Sequence, residues 1–272
     1  MPKPFNELTF TDDFMFCKVM VMYQDLCRRL LELILDIKIQ ELTITESQKS
    51  IDNKYSKRGI RLDVYARDAD GTVYDIEMQT TNKSDLPLRL RYYQSAIDMD
   101  LLEKGDSYST LPETRIIFLC LNVPFEGNLP VYTFENMCAE NTQIRLKDKA
   151  KRIVLNASGV RDRLSDNLKA LLDYMVDRHA KNSPLIEEID AAVDVVIQKQ
   201  DVKEEYMRYN LFLMDAKDEG RAEGRAEGEA KAINKLNALM EILKKENRLG
   251  EFVRVISDTA FREKLFAQYK IA

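Results

Sequence analysis

Two carboxylates and an amide, Asp63, Glu77 and Gln79, lie in a segment that the sequence predicts to be a β-hairpin. The Asp70-Gly71 step favours a turn, because glycine adopts positive φ angles without strain, and apolar and polar residues alternate on both sides of it. A turn centred on Asp70 makes Asp63 and Glu77 cross-strand partners, with Cβ atoms about 4.5–5.5 Å apart. Adjacent carboxylates repel each other unless a cation lies between them. We therefore expect a divalent metal site. Magnesium is the first candidate because it binds oxygen ligands and commonly uses one or two carboxylates.

The alternation along the two strands predicts one apolar and one acidic face. Asp63, Asp75, Glu77 and Gln79 share the acidic face, because side chains two residues apart point the same way. We expect half-buried strands whose acidic side is open to a ligand.

Four segments follow one another in the chain: FTDDFMFCKVM from Phe10, RLDVYARDADGTVYDIEMQTT from Arg61, LPLRLRYYQSAIDMDLL from Leu86 and EGRAEGRAEGEA from Glu219. Asp63 followed by Glu77-Met78-Gln79 resembles the PD-(D/E)XK nuclease signature in its E-x-Q form. Together the four segments resemble the Rpn family of recombination-promoting nucleases, also described as transposases. The resemblance spans most of the chain.

The resemblance implies an α/β fold of the restriction-endonuclease-like (PD-(D/E)XK) type, with a mixed sheet flanked by helices and a helical C-terminal part. It implies a metal-dependent DNA endonuclease associated with recombination or mobile elements, with Mg²⁺ or Mn²⁺ as cofactor. Asp63 and Glu77 would hold the metal, and Gln79 would orient the attacking water or polarise a phosphate oxygen. Gln79 stands where the commoner pattern has a lysine, and Leu62 stands where it has a proline. Much of the rate must then come from the metal.

Asp13 is the candidate for a third metal ligand. In nucleases of this type an acid on the first helix sometimes joins the metal site, and apolar spacing predicts one helix from Phe14 to Ile34. The alternative is that Asp12 and Asp13 cap this helix and complement its dipole.

A second predicted helix, from Leu86 to Lys104, follows the E-x-Q strand and carries candidate DNA-binding residues in its first turns. These are Arg89, Arg91, Tyr92 and Gln94. The planar fork of an arginine suits a phosphate contact. Salt bridges to Asp75 or Asp98 are the alternative role for the arginines.

Composition narrows the classes of protein to which the chain can belong. The chain has 272 residues, of which 45% are hydrophobic and 32% charged, so it can bury a full core. No apolar run approaches the roughly 20 residues of a membrane helix, and residues 1–7 lack a signal pattern, so a cytoplasmic protein without a membrane partner is expected. The four cysteines lack zinc-site spacing and are expected to be reduced core residues. A single histidine, His179, makes a histidine-based site improbable.

The net charge of -5 argues against DNA binding, but the distribution of charge weakens that argument. Basic residues are frequent from Lys49 to Arg67 and again from Arg145 to Arg163. Each cluster is interpreted either as the basic rim of a metal site or as a solvated charged loop.

Further elements complete the predicted organisation. Strands are expected at residues 39–47, 115–123, 131–138 and 152–156, with the apolar run at 115–123 in the sheet centre and the last two antiparallel or at an edge.

We predict a nuclease-like core at 1–164, a helical lobe at 165–218 and, at 219–272, a connector with a small helical module. The connector contains glycines at a spacing of four, which weaken a helix unless close packing compensates. The small module could join two copies into a homo-oligomer or steer target choice.

Two function classes fit these patterns. The first is the metal-dependent DNA endonuclease. The second is a protein with the nuclease fold that lacks catalysis and acts as a nucleic-acid or protein-interaction module. Convergence of Asp13, Asp63, Glu77 and Gln79 in space would favour the first class.

Overall fold

The protein is built on a six-stranded mixed sheet, in a computed structural model that describes residues 2–51, 59–81, 84–162 and 164–271, with backbone alone at 45–48. The strands are β1 (Leu42–Ile51), β2 (Ile60–Asp68), β3 (Val73–Gln79), β4 (Thr114–Cys120), β5 (Val131–Phe134) and β6 (Ala150–Asn156). Their order across the sheet is β1-β2-β3-β4-β6-β5. Helices pack on this sheet, so the expected α/β architecture is confirmed. The strand predicted at 39–47 begins later, at Leu42, and the loop predicted at 52–59 lies almost wholly outside the described residues.

Strands β2 and β3 form the predicted hairpin in the predicted register. Val64 pairs with Ile76, and Gly71 has φ +84°, the positive value for which a glycine is suited. Continuing this register by one residue brings Asp63 opposite Glu77. The local turn and the alternation of side chains between the two faces of each strand were therefore enough to predict the pairing.

Strand β3 is buried along its whole length, so the expectation of a half-buried hairpin is wrong. Leu86 and Leu90 of helix α3 (Leu86–Leu101) belong to one core cluster with Val73 and Phe118. Helix α1 (Asp13–Met22) contacts β2 and β3. Cover of this kind comes from other elements of the fold, which the alternation within a strand does not reveal.

Strand β4 lies inside the sheet and is parallel to both β3 and β6, as its continuous apolar run predicts. The expectation for β6 is confirmed in part, because β6 pairs antiparallel with β5, but it is not an edge strand and also pairs in parallel with β4. The short strand β5 forms the edge and is antiparallel to β6. The long segment between β4 and β6 gives the chain room for the crossover that a parallel pair requires.

The first predicted helix is two helices, α1 and α2 (Gln24–Leu35). Tyr23 separates them with φ -122° and ψ 69°, outside the helical region. Apolar residues keep helical spacing across this break, which is why periodicity predicted a single helix. Helix α3 confirms the second predicted helix and ends at Leu101.

The remaining helices are α4 (Asp166–Val176), α5 (Pro184–Ile197), α6 (Gln200–Lys245), α7 (Phe252–Ser257) and α8 (Thr259–Tyr269). Helix α6 is continuous through the glycine repeat, although a Cβ at Gly220, Gly224 or Gly228 would meet no atom within 4 Å among the described residues. Close packing therefore does not compensate for these glycines. None of the helices in the described ranges has the length and apolar character that crossing a bilayer requires.

The chain divides into two compact units, Met1–Tyr206 and Met207–Ala272. The second unit has its own small core, formed by Leu239, Leu243, Val255 and Leu265. The division of the chain at residues 164 and 218 stays a prediction.

Three of the four cysteines, Cys17, Cys27 and Cys120, are free and buried, as expected. Burial raises the pKa of Cys27 and of Cys120 to about 12, so both thiols are protonated. Cys138 is free but only partly buried, and its thiol donates a hydrogen bond to Glu140 over 3.0 Å.

Candidate active site

Asp63 and Glu77 are held together by reciprocal hydrogen bonds between strands β2 and β3. The backbone N–H of Asp63 donates to Glu77 Oε1 over 2.9 Å, and the backbone N–H of Met78 donates to Asp63 Oδ2 over 3.1 Å. Each carboxylate therefore accepts a hydrogen bond from the partner strand's backbone. One oxygen of each is fixed in this way, whereas Asp63 Oδ1 and Glu77 Oε2 accept no backbone N–H from the described residues.

The acidic face is almost fully shielded from water. The exposed fraction is 8% for Asp63, 4% for Glu77 and 0% for Asp75. Burial raises the pKa of Asp63 to about 6, with the charge of Asp13 adding to the effect, and raises the pKa values of Asp75 and Glu77 well above their ordinary range. The three carboxyls cannot all be ionised here without a compensating positive charge.

Arg89 of helix α3 brings a positive charge to this cluster. Its Nη2 lies 3.8 Å from Glu77 Oε2 and donates to the hydroxyl of Tyr93 over 3.1 Å. Its Nη1 donates to Gln79 Oε1. Arg89 was predicted to contact the DNA backbone, but its guanidinium points into the acidic face and pairs with Glu77 rather than with Asp75 or Asp98.

Gln79 is fixed by its neighbours on both sides of its amide. Its Nε2 donates to the carbonyl oxygen and to the hydroxyl of Thr81, each over 2.7 Å, and its Oε1 accepts from Arg89. The amide is therefore held in one orientation. The guanidinium of Arg89 places a positive charge directly beside this amide.

These residues open into a cavity of about 810 Å³, named here the acidic cavity. Seven predicted site residues line it: Asp13, Asp63, Glu77, Gln79, Arg89, Arg91 and Tyr92. Arg61 of the first basic cluster lines it as well. Within the described ranges, no three acidic, histidine or cysteine side chains are close enough together to form a metal cluster without rearrangement.

Asp13 is the first residue of α1 and reaches the acidic cavity. Its Oδ1 accepts a hydrogen bond from the N–H of Phe14 over 2.7 Å. Asp12 makes no capping hydrogen bond to the helix, and its carboxylate instead accepts from the N–H of Thr9 and from Lys3, each over 2.7 Å. Asp13 therefore combines a place in the first helical turn with a place in the cavity wall.

Gln94 does not line the acidic cavity. It is buried, and its Nε2 donates to the hydroxyl of Thr114 over 2.7 Å and to Asp98 over 2.9 Å. The helical spacing from Leu90 and Ile97 already places residue 94 on the inner face of α3. Arg91 and Tyr92, by contrast, are exposed at the cavity rim.

Among the described residues of the two predicted basic clusters, Arg61 lines the acidic cavity. Lys49 forms an ion pair with Asp100 over 2.7 Å, Arg145 with Glu135 over 2.9 Å and Arg161 with Asp173 over 3.1 Å. Lys54, Lys57, Arg58 and Arg163 lie outside the described residues. The second cluster thus contains several surface ion pairs, which contribute little to stability.

Asp75 is a buried acid that the sequence analysis considered only as a salt-bridge partner and not as a site residue. Neither of its carboxyl oxygens has a hydrogen-bond partner of normal geometry among the described residues, although both are fully buried. Its position on the acidic face, two residues before Glu77, was the signal available in the sequence.

Comparison with known proteins gives one positive result. A family model described as PD-(D/E)XK nuclease family transposase matches residues 11–218. This range includes α1, the whole sheet and the cavity residues. Comparisons with curated proteins and with solved structures give no match.

Proposed function

The chain belongs to the PD-(D/E)XK nuclease family of transposases, and from that premise we propose that it is a divalent-metal-dependent DNA endonuclease. The observation that carries the proposal is the convergence of Asp63, Glu77 and Gln79 on one cavity, with Arg89 beside them. Asp13 in the wall of the same cavity supports a third acidic contribution.

The residues of the acidic cavity fit a hard divalent cation. Asp63 Oδ1 and Glu77 Oε2 are the oxygens that would face the cation, since the other oxygen of each accepts a backbone N–H, and Arg89 Nη2 lies 3.8 Å from Glu77 Oε2. Oxygen ligands from two carboxylates, completed by water and phosphate, are typical of magnesium, and manganese accepts the same set. When bound, such a cation lowers the pKa of a coordinated water and neutralises charge that develops on the phosphate.

The protein side chains then have distinct roles. Asp63 and Glu77 would hold the cation, and Asp13 would add a third acidic side chain to its surroundings. Gln79 orients the attacking water or a phosphate oxygen, because its amide is fixed by Thr81 and Arg89. Arg89 balances the negative charge of the acidic face and of the reacting phosphate.

Contacts to the DNA backbone are assigned to the rim of the acidic cavity. Arg91 and Tyr92 are exposed there, and the guanidinium of Arg91 makes no ion pair in the part of the chain that the structure describes. The proposal leaves out Gln94, because its amide bonds Thr114 and Asp98 inside the core.

The test is nicking of supercoiled plasmid by the purified protein in magnesium, manganese or chelator. Asp63→Asn and Glu77→Gln keep the shape of each side chain and remove its charge. Asp70→Asn is the matched control, because Asp70 is an exposed acid in the turn of the same hairpin. We expect cleavage by the wild type and the control with metal, and none by the two site variants. Absence of cleavage with either metal, or full cleavage by both site variants, would refute the proposal.

A second candidate function is DNA binding without catalysis. The replacement of the usual lysine by Gln79, whose amide is already hydrogen bonded at both ends, favours this candidate. A protein that binds the plasmid tightly and never nicks it, under any metal condition, would support it.

We also propose that the second unit, Met207–Ala272, joins two copies of the chain. Its surface exposes Leu249, Val253 and Ile256. Analytical ultracentrifugation of the wild type and of Val253→Lys tests this. A dimer that dissociates in the variant supports the proposal, and a monomeric wild type rejects it.

A further inference from the structure

A second cavity, of about 400 Å³, lies next to helix α3 and shares one residue with the acidic cavity. It is named here the aromatic cavity and is lined chiefly by Leu90, Arg91, Phe125, Phe134, Asn136 and Arg152. Arg91 lines both cavities. A volume of this size is within the range of sites that bind small organic groups.

Aromatic rings form one wall of this cavity. The ring centroids of Phe125 and Phe134 are 5.0 Å apart, and those of Phe125 and Tyr132 are 5.1 Å apart. Phe134 lies on the edge strand β5 and is 38% exposed. An exposed phenyl ring beside a cavity offers a flat apolar face on which another flat ring can stack.

Two guanidinium groups stand beside these rings. Arg152 is the direct cross-strand neighbour of Phe134, and its Nε is buried with no hydrogen-bond partner among the described residues. Neither Arg91 nor Arg152 forms an ion pair within the described ranges. Asp98, whose carboxylate accepts a hydrogen bond from Gln94 over 2.9 Å, lies within electrostatic reach of Arg152 and offsets part of its charge. The charge of Arg91 and the rest of the charge of Arg152 are therefore available to an anionic ligand.

The combination of an exposed aromatic ring with unpaired arginines fits a nucleotide. A base stacks on a ring through its π-face, and an arginine binds the phosphate that follows. A base within a duplex is paired and stacked on its neighbours, so it can reach Phe134 only when it is unpaired.

We propose that the aromatic cavity binds an unpaired base of the DNA strand whose backbone lies in the acidic cavity. Arg91, which lines both cavities, contacts the phosphate between the two positions. The preferred substrate is then DNA with a single-stranded segment beside the cleaved bond, such as a flap or a melted end. The assignment of the strand's path rests on the proposed nuclease function, but base binding is measurable without cleavage.

The test measures binding of the full-length protein, in chelator, to a short fluorescent single strand and to the same sequence as a blunt duplex. We expect the single strand to bind about tenfold more tightly, because base stacking on one ring is worth about fivefold to a hundredfold in affinity. Phe134→Leu keeps an apolar side chain without a π-face and is expected to lose this preference. Phe134→Tyr keeps the ring and is expected to retain it. Tyr108→Ala is the matched control, because Tyr108 is an exposed aromatic residue that lines neither cavity.

A second readout reports stacking directly. A 2-aminopurine base in the single strand is quenched when it stacks on an aromatic ring, so quenching is expected with the wild type and with Phe134→Tyr but not with Phe134→Leu. The same binding measurement with an RNA strand of the same sequence compares the affinity for single-stranded RNA with the affinity for single-stranded DNA. Tighter DNA binding supports the proposal, and tighter RNA binding overturns the assignment to DNA.

The two proposals fail separately. Equal affinity for single strand and duplex, or an unchanged single-strand preference in Phe134→Leu, overturns the base site even if the plasmid is nicked. The expected binding pattern without any nicking supports the base site and rejects the nuclease.

Discussion

Replacing Asp63 with asparagine should stabilise the metal-free protein at neutral and alkaline pH. Asp63 is 8% exposed, lies beside Glu77 and has its pKa raised to about 6 by burial. Ionisation therefore costs the folded state more than the unfolded chain. Asparagine has nearly the same shape, carries no charge, and its carbonyl oxygen can still accept the hydrogen bond from the N–H of Met78.

The magnitude follows from the two pKa values of Asp63. The pKa is about 6 in the folded protein, against an ordinary value of 3.8. Because the folded pKa is the higher one, the stabilising effect of the protonated carboxyl is complete below pH ~4 and is lost as the pH rises through ~6. The shift corresponds to a destabilisation of at most about 3 kcal/mol above that pH. Asp63→Asn should therefore match the wild type at low pH and exceed it by up to about 3 kcal/mol at pH ~8.

The assay is urea unfolding followed by circular dichroism, in chelator, across this pH interval. Asp70→Asn, in the exposed turn of the same hairpin, controls for a general effect of removing one negative charge. Adding magnesium should stabilise the wild type and leave Asp63→Asn unchanged, since a ligand stabilises only the state that binds it. A variant that is less stable than the wild type at high pH without metal would refute the reasoning.

Four other outcomes are expected. Arg89→Met should slow plasmid cleavage about 100-fold while DNA affinity changes little, because it removes the positive charge next to Glu77. Gln79→Lys should lower activity rather than restore a lysine function, since the new ammonium would meet the Arg89 guanidinium that Gln79 now contacts. Asp190→Asn should destabilise the first unit by about 1–3 kcal/mol, because it removes the buried charge that pairs with the partly exposed Arg178 and Lys181 and accepts from Tyr174. Gly224→Ala should stabilise helix α6 by about 1 kcal/mol, seen as higher helicity on warming, because its Cβ would meet no atom within 4 Å.

Each of these expectations has a contrary result. An Arg89→Met protein with normal turnover would remove the assigned role of Arg89, and a faster Gln79→Lys enzyme would show that the position still accepts a lysine. Asp166→Asn, at an exposed acid in the first turn of α4, is the control for Asp190→Asn. Equal urea midpoints for these two variants would contradict the buried network. Unchanged helicity in Gly224→Ala would indicate that α6 is not helical at this point in solution.

Local patterns in the sequence determined the hairpin and the identity of its acids. The Asp70-Gly71 turn and the alternation of side chains depend on neighbours along the chain, so they placed Asp63 opposite Glu77 before any tertiary contact was known. The apolar run of β4 likewise predicted its central position, because a strand covered on both faces needs apolar residues throughout. The E-x-Q motif and its flanking segments indicated the family.

Tertiary structure decided how the acids are surrounded. Helix periodicity showed which side chains of α3 share a face, but it did not show that Arg89 would reach across to Glu77 and Gln79, nor that Gln94 would bond Thr114 in the core. Those contacts join different elements of the fold. They depend on how α3 packs on the sheet, which side-chain spacing within one helix does not specify.

The order of the last strands was decided in the same way. Strand β6 has a sequence compatible with an edge, yet it lies between β4 and β5. Pairing between distant strands is fixed by the packing of the whole sheet, whereas the hairpin is fixed by its own turn. The sequence by itself therefore determined which residues could form the site, and the tertiary fold decided their burial, their pKa values and the arginine that balances their charge.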